Sequence, residues 1–254
     1  MEDKKNQVIV VNKPQGKTPL ELIQEYRASH PELEDQKLGY AGRLDPLASG
    51  VMLILVGDEN TNRAYYERLP KTYSFEIVAG VETDTYDPMG IVRTITEVKS
   101  EKIADLIRDE LSRYVGTTTQ PYPPFSSVRI RGKSLFHYAR EGKLGEITIP
   151  EKEITVYDAT ISHHSQTCLS DFVREIEPVI GCVAGDFRQD EILSLWREKR
   201  DENPNLILVR ALATISCSSG TYVRGIAHEI GKRIGCGAIA WNIKRTRVGD
   251  FTLQ

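Results

Sequence analysis

Hydrophobic and polar residues alternate along some stretches of this chain and recur at helical spacing along others. Residues 8–11 are a β-branched run closed by Lys13-Pro14-Gln15-Gly16, which predicts a strand and then a turn. Thr18-Pro19-Leu20-Glu21 reads as a helix start, with Thr18 as cap, Pro19 in the first turn and Glu21 completing a capping box. Leu20, Ile23 and Tyr26 then face the core, and Pro31 bounds the helix. The apolar block 51–56 predicts a buried strand. In the next strand Tyr73, Phe75, Ile77, Ala79 and Val81 alternate with Ser74, Glu76 and Gly80, the period of a half-buried element.

Ile103, Leu106, Ile107 and Leu111 form a helical stripe suited to core packing. Gln120-Pro121-Tyr122-Pro123-Pro124-Phe125-Ser126 cannot continue a helix or a central strand. It opens a cation-rich segment reaching to about residue 150. Composition shifts over 168–205, punctuated by Gly181, Gly185 and Pro204. Asp186 is placed there to cap a helix bearing Ile192, Leu193 and Trp196, so the region reads as an insertion packed on the main body. Ile207, Val209, Ala211, Ala213 and Ile215 predict a long alternating strand. Gly220-Thr221-Tyr222-Val223-Arg224 leads into a helix with Val223, Ile226, Ala227, Ile230 and Ile234 on one face and Gly235 as its stop. Strands and helices mix without regular βαβ alternation, which favours an α+β fold around a mixed or antiparallel sheet.

A length of 254 residues permits one large domain or two small ones. The formal charge of −3 means that any anionic partner must be held by local basic clusters rather than by bulk charge. Four cysteines without a CxxC pair argue against a zinc site or a disulfide scaffold and fit a reducing compartment. The start, Met1-Glu2-Asp3-Lys4-Lys5-Asn6, is polar, and no apolar run approaches a membrane span, so a cytoplasmic protein without a membrane role is expected. The acids of 84–90 are too few and irregular for calcium, and His163-His164 has no third ligand at suitable spacing. No metal site is expected.

The densest candidate chemistry lies in Gly39-Tyr40-Ala41-Gly42-Arg43-Leu44-Asp45-Pro46-Leu47-Ala48-Ser49-Gly50. It sets one carboxylate in a glycine-bounded loop at the lip of the 51–56 strand. Such an acid either reaches a ligand or caps its own turn, the commoner fate of a loop aspartate. Local pattern leaves both open.

Taken in order, four segments resemble the TruB-type tRNA pseudouridine-55 synthases. Residues 39–50 resemble that family's catalytic motif, with Asp45 at the catalytic position. Lys71-Thr72-Tyr73 resembles a basic-aromatic motif whose tyrosine contacts the target base. Gln120 through Lys133, running on to Tyr138-Ala139-Arg140, resembles an RNA-clasping thumb. Gly220-Thr221-Tyr222-Val223-Arg224, with Gly235-Cys236-Gly237-Ala238 and Lys244-Arg245-Thr246-Arg247-Val248-Gly249-Asp250-Phe251, resembles the C-terminal signature, and Lys13-Pro14-Gln15-Gly16 adds an N-terminal match.

The resemblance implies the pseudouridine synthase fold, a mixed and largely antiparallel sheet flanked by helices. One catalytic domain would span 1–254, with a thumb at 120–150, an insertion near 168–205 and no PUA domain. It implies isomerisation of the T-loop uridine of tRNA without a cofactor, by a monomer needing no protein partner. Asp45, Tyr73 and Arg224 would be catalytic: the acid acts on the sugar, Tyr73 stacks beneath the uracil, and Arg224 keeps Asp45 ionised. Tyr40, Arg43, Tyr222, Lys71, Arg129, Arg131, Lys133, Arg140, Lys244 and Arg245 would bind substrate, the thumb and C-terminal cations through phosphates. Lys143, Lys232, Arg233 and Arg247 join the same two basic groups. Position 40 is Tyr where many members carry His, and Arg43 precedes Leu44-Asp45 in a string reminiscent of other pseudouridine synthase families. The alternatives are a synthase acting on another RNA, or a non-catalytic tRNA-binding or tRNA-folding protein. A glycosidase ranks last, since it would need two paired carboxylates.

Overall fold

The computed structural model describes residues 6–98 and 102–253, so the polar residues 1–5 and the terminal Gln254 lie outside it. The first part of the chain forms β1 (Gln7–Lys13), α1 (Pro19–Ser29), β2 (Leu38–Ala41), β3 (Ser49–Val56), α2 (Arg63–Arg68) and β4 (Lys71–Ala79). The middle forms β5 (Val81–Thr83), β6 (Val92–Ile95), α3 (Ile103–Ser112), β7 (Gly116–Pro121), β8 (Arg129–Ile130), β9 (Lys133–Ser134) and α4 (Leu135–Arg140). Then follow β10 (Glu151–Cys168), α5 (Leu169–Gly181), α6 (Gln189–Glu202), β11 (Ile207–Cys217), α7 (Val223–Ile234), β12 (Ala238–Val248) and β13 (Phe251–Thr252).

The main sheet runs β1-β3-β12-β4-β11-β10-β7, with β2 paired to β3 and β13 to β12. Its pairings are antiparallel except for the short β3–β12 contact, where Ser49 and Gly50 meet Lys244 and Arg245 in parallel. The expected α+β, largely antiparallel architecture is therefore present. Successive residues of a strand point to opposite faces. Phe75, Ile77, Ala211, Ala213 and Ile215 accordingly pack beneath α3 and α7, while Val78, Leu208 and Trp241 pack beneath α5 and α6. Residues 168–205 are thus the two-helix cover of one face of the sheet.

Local signals explain most element ends. Thr18 and Glu21 close the capping box of α1 reciprocally, and Gly235 ends α7 in the left-handed conformation at φ 79°. Pro121 ends β7, the outermost strand, where a missing N–H costs the ladder nothing. Gly50 has φ +102°, and a Cβ there would lie 2.2 Å from the Arg245 carbonyl oxygen, so only glycine lets β12 pass this close.

Four expectations need correction. Leu20 is 60% exposed because the first turn of α1 lies on the rim of a cleft, and Leu106 is 43% exposed because Ala104 takes the inward place on α3. Val81 belongs to a separate hairpin, β5–β6, since Gly80 at φ +104° breaks the strand before it. Asp186 does not cap α6: Arg188 holds that position in a left-handed conformation without a side-chain cap, and Asp186 instead pairs with Arg140 of α4.

Candidate active site

Asp45 is presented by the β2–β3 connection, whose backbone is held from three sides. The Asp45 carbonyl accepts from the Ala48 amide at 3.0 Å, closing the turn around Pro46 and Leu47. The Pro46 carbonyl receives the Gly16 amide at 2.9 Å and the Lys13 ammonium at 3.2 Å. Burial pushes Lys13 down to about 8, with Asp45 opposing the shift. The motif Lys13-Pro14-Gln15-Gly16 thus braces the loop from behind. From the other side Arg245 donates to the carbonyls of Val51 at 2.8 Å and Gly42 at 3.0 Å.

The side chain of Asp45 faces α7, where the Nε of Arg224 donates to its Oδ2 at 2.8 Å. The arginine is 3% exposed. Its other donors reach the Thr85 carbonyl and, at 3.5 Å, the Phe125 carbonyl. Asp87 stands 3.6 Å from the same Nε. Burial disfavours the charge on Arg224, but the two carboxylates outweigh it and raise its pKa.

Asp87 is buried on the loop between β5 and β6, where its Oδ1 accepts from the Thr85 hydroxyl at 2.6 Å and the Met89 amide at 3.0 Å. Burial pushes its carboxyl up to about 6, and Arg224 opposes the shift. The loop is pinned by the two-helix cover: Trp196 donates to the Pro88 carbonyl at 3.0 Å, and Arg188 clasps Asp84 at 2.9 and 3.2 Å. Arg188 also lies 4.6 Å above the Phe125 ring.

These groups open onto a cleft of about 790 Å³, within the range of roughly 300–1,000 Å³ usual for ligand sites. Tyr40, Arg43, Asp45, Lys71, Tyr73, Arg140, Tyr222, Arg224 and Arg245 all line it. Tyr73 is half-buried at the start of β4, and burial raises its phenol pKa. Burial likewise pushes Tyr222 up to about 12. Its backbone is clamped by Gln120, whose side chain accepts from the Tyr222 amide and donates to its carbonyl, both at 2.9 Å. The Tyr122 ring meets that of Tyr222 edge-on at 5.8 Å.

Two cations expected to bind substrate, Arg245 through phosphate, are buried in the cleft lining and engaged by backbone carbonyls. Arg245 is 1% exposed, with its guanidinium bound to backbone carbonyls under the Asp45 loop. Lys71 is 5% exposed and donates to the carbonyls of Glu67 and Leu69 at 2.5 and 2.6 Å, its pKa lowered by burial to about 8. Both hold the floor of the cleft. Arg129, Arg131 and Lys133 are exposed on the β8–β9 hairpin, and Lys244 is exposed on β12, all outside the cleft lining. Arg140 donates to the carboxylate of Asp186 at 3.3 Å and to its carbonyl at 2.6 Å, joining α4 to the loop before α6. The second basic group is divided: Arg233 pairs with Glu110 of α3 at 3.4 Å, and Arg247 pairs with Asp250 at 3.0 Å.

Sequence reasoning missed Asp87, Gln120 and Arg188. Asp87 stood in an acidic loop tested only against calcium ligation. Its ion-pair partner Arg224, and Trp196, which holds the neighbouring Pro88 carbonyl, are more than a hundred residues away, so no local spacing marks it.

A family model described as TruB family pseudouridylate synthase (N terminal domain) matches residues 31–187. The tRNA pseudouridine synthase B of Protochlamydia amoebophila is 31% identical over 248 residues, covering 97% of this chain and 76% of that protein. The enzyme of the same name from Aquifex aeolicus is 28% identical, covering 97% and 69%. Among solved structures, that of an H/ACA RNP bound to a substrate RNA containing 2'-deoxyuridine superposes with a TM-score of 0.54 at 18% identity. That match covers 98% of this chain and 49% of the other, so the chain spans about half the length of that structural neighbour.

Proposed function

The chain belongs to the TruB family of pseudouridylate synthases, and on that premise we propose that it converts the T-loop uridine of tRNA, position 55, to pseudouridine with Asp45 as the reacting carboxylate. The observation that carries this reading is the Asp45–Arg224 pair, 2.8 Å apart at the wall of a nucleoside-sized cleft. A carboxylate covered by substrate loses hydration and with it the preference for the charged form, and an adjacent buried guanidinium restores that preference. The contact of Arg224 with Asp45, and of Asp87 with Arg224, supports this role.

The reaction breaks the bond between C1′ and N1 of the uridine and forms one between C1′ and C5. The C5 proton is lost and N1 gains one, so substrate and product are isomers and no electrons enter or leave. Asp45 acts on the ribose as the glycosidic bond breaks. Tyr73 stacks against the uracil while it turns, and Tyr222 lines the same pocket. The target must first leave its stack at a cost of a few kcal/mol. Tyr40 supplies an aromatic face at the entrance, and Arg43, exposed beside it, donates toward its hydroxyl at 3.5 Å. Arg129, Arg131 and Lys133 on the thumb hairpin, with Arg140 and Lys244, hold the backbone of the T arm and offset that cost. The protein works in the cytoplasm as a monomer.

The test is incubation of purified protein with unmodified tRNA, followed by mapping of pseudouridine. Conversion confined to the T-loop uridine is expected. Modification only at other positions would refute the substrate, and no modification of any RNA would refute the activity.

A further inference from the structure

The wall of the cleft carries a polar group whose bonding is incomplete. Ser126 is 4% exposed, and its hydroxyl has no hydrogen-bond partner among the described residues. Other buried polar side chains along the cleft are satisfied: Lys71, Thr85, Asp87, Thr221, Arg224 and Arg245 each have partners. Buried hydroxyls are normally paired, so an orphan on a residue lining a ligand site calls for a partner that the free protein does not supply. The residue is also fixed in place. Its carbonyl accepts from the Phe136 amide at 3.2 Å, and the preceding carbonyl, of Phe125, receives Arg224 at 3.5 Å. Both Phe125 and Ser126 line the cleft.

We propose that the Ser126 hydroxyl donates a hydrogen bond to a carbonyl oxygen of the flipped uracil, making it a specificity residue for a pyrimidine that turns in place. The proposal rests on the pseudouridine-forming reading above. Its chemical attraction lies in the symmetry of the base. Turning uracil about its N3–C6 axis exchanges N1 with C5 and the C2 carbonyl with the C4 carbonyl. One fixed donor therefore meets a carbonyl before the turn and another after it, without moving. An apolar wall would hold neither orientation. A group able only to accept would favour the N3–H edge and leave the carbonyls unread.

The test compares the parent protein with Ser126→Ala and Ser126→Cys on T-arm stem-loop RNAs. These carry uridine, 2-thiouridine or 4-thiouridine at the target position, because a thiocarbonyl is a weak acceptor. For Ser126→Ala, kcat/KM on the uridine RNA is expected to fall roughly three- to tenfold, the worth of one neutral hydrogen bond. Its thermal midpoint should stay equal to the parent's or rise, since the lost oxygen has no partner in the free protein. On one of the two thio-RNAs parent and variant should react alike, the non-additivity that marks a direct contact. Ser126→Cys keeps the volume with a weaker donor and should show the same selective loss. An equal loss on all three RNAs, or no loss on uridine, would overturn the proposal while leaving the reaction intact. A parent inactive on the uridine RNA would overturn the isomerase reading and this proposal together.

Discussion

The indole nitrogen of Trp196 donates to the carbonyl of Pro88 at 3.0 Å, joining α6 to the loop that carries Asp87. A helix on the far face of the sheet thereby fixes the carboxylate behind Arg224. Trp196→Phe keeps most of the buried ring but leaves that carbonyl unpaired. Unfolding in urea should show a loss of about 1–3 kcal/mol, with a fall in kcat larger than any change in KM. A variant as stable and as fast as the parent would detach this helix from the site.

Asp45→Asn keeps the shape of the side chain and removes its charge. Single-turnover rates on tRNA should fall roughly a thousandfold or more, while tRNA affinity stays within a few fold of the parent's. Retained activity would exclude Asp45 as the reacting group.

Asp87 titrates in a useful range. Its carboxyl stands at about 6 in the folded protein against 3.8 for an ordinary aspartate, burial outweighing Arg224. Folding therefore takes up a proton between those values, and the stabilising contribution is present below about pH 4 and lost as pH rises through about 6. Against an Asp87→Asn reference, the parent's unfolding free energy should drop by about 2–3 kcal/mol between pH 4 and pH 7. Above that range the ionised carboxylate braces Arg224, so kcat should climb near pH 6 in the parent and not in the variant. A stability difference that is flat with pH would place Asp87 outside this titration.

Arg245 and Lys244 are neighbours with opposite roles. Lys244→Ala should weaken tRNA binding and reduce the slope of log K against log salt by roughly one, the mark of a phosphate contact. Arg245→Ala should leave that slope unchanged and destabilise the fold by about 3 kcal/mol or more, because the carbonyls of Val51 and Gly42 lose their buried partner. Equal salt slopes for Arg245→Ala and Lys244→Ala would return Arg245 to the RNA surface.

Periodicity made much of this architecture readable. The alternation through Phe75 and Ile77, and through Ala211 and Ala213, locates β4 and β11 and their shared face, and Thr18 with Glu21 marks the start of α1. What local pattern could not supply was meeting across distance. Asp45 and Arg224 lie 179 positions apart, and only the family resemblance joined them. Asp87 escaped because an acid in a loop looks solvated until the elements burying it are known. Arg245 had a readable signal that went unused. Trp241, Ile243 and Arg245 are buried and alternate with exposed Asn242 and Lys244. Treating 238–248 as a strand would have separated the buried cation from the exposed one.

The place of β12 in the sheet bears on how the protein is made. This late strand lies between β3 and β4, so the sheet path up to it consists of two unjoined pieces, β1-β3 on one side and β4-β11-β10-β7 on the other. A ribosome delivers β12 almost last. Until then the Asp45 loop and the Arg224 helix belong to separate halves of a divided nascent chain. A fragment stopping short of residue 238 lacks the strand that joins the two pieces of the sheet, and with it the sheet connection between the Asp45 loop and the Arg224 helix.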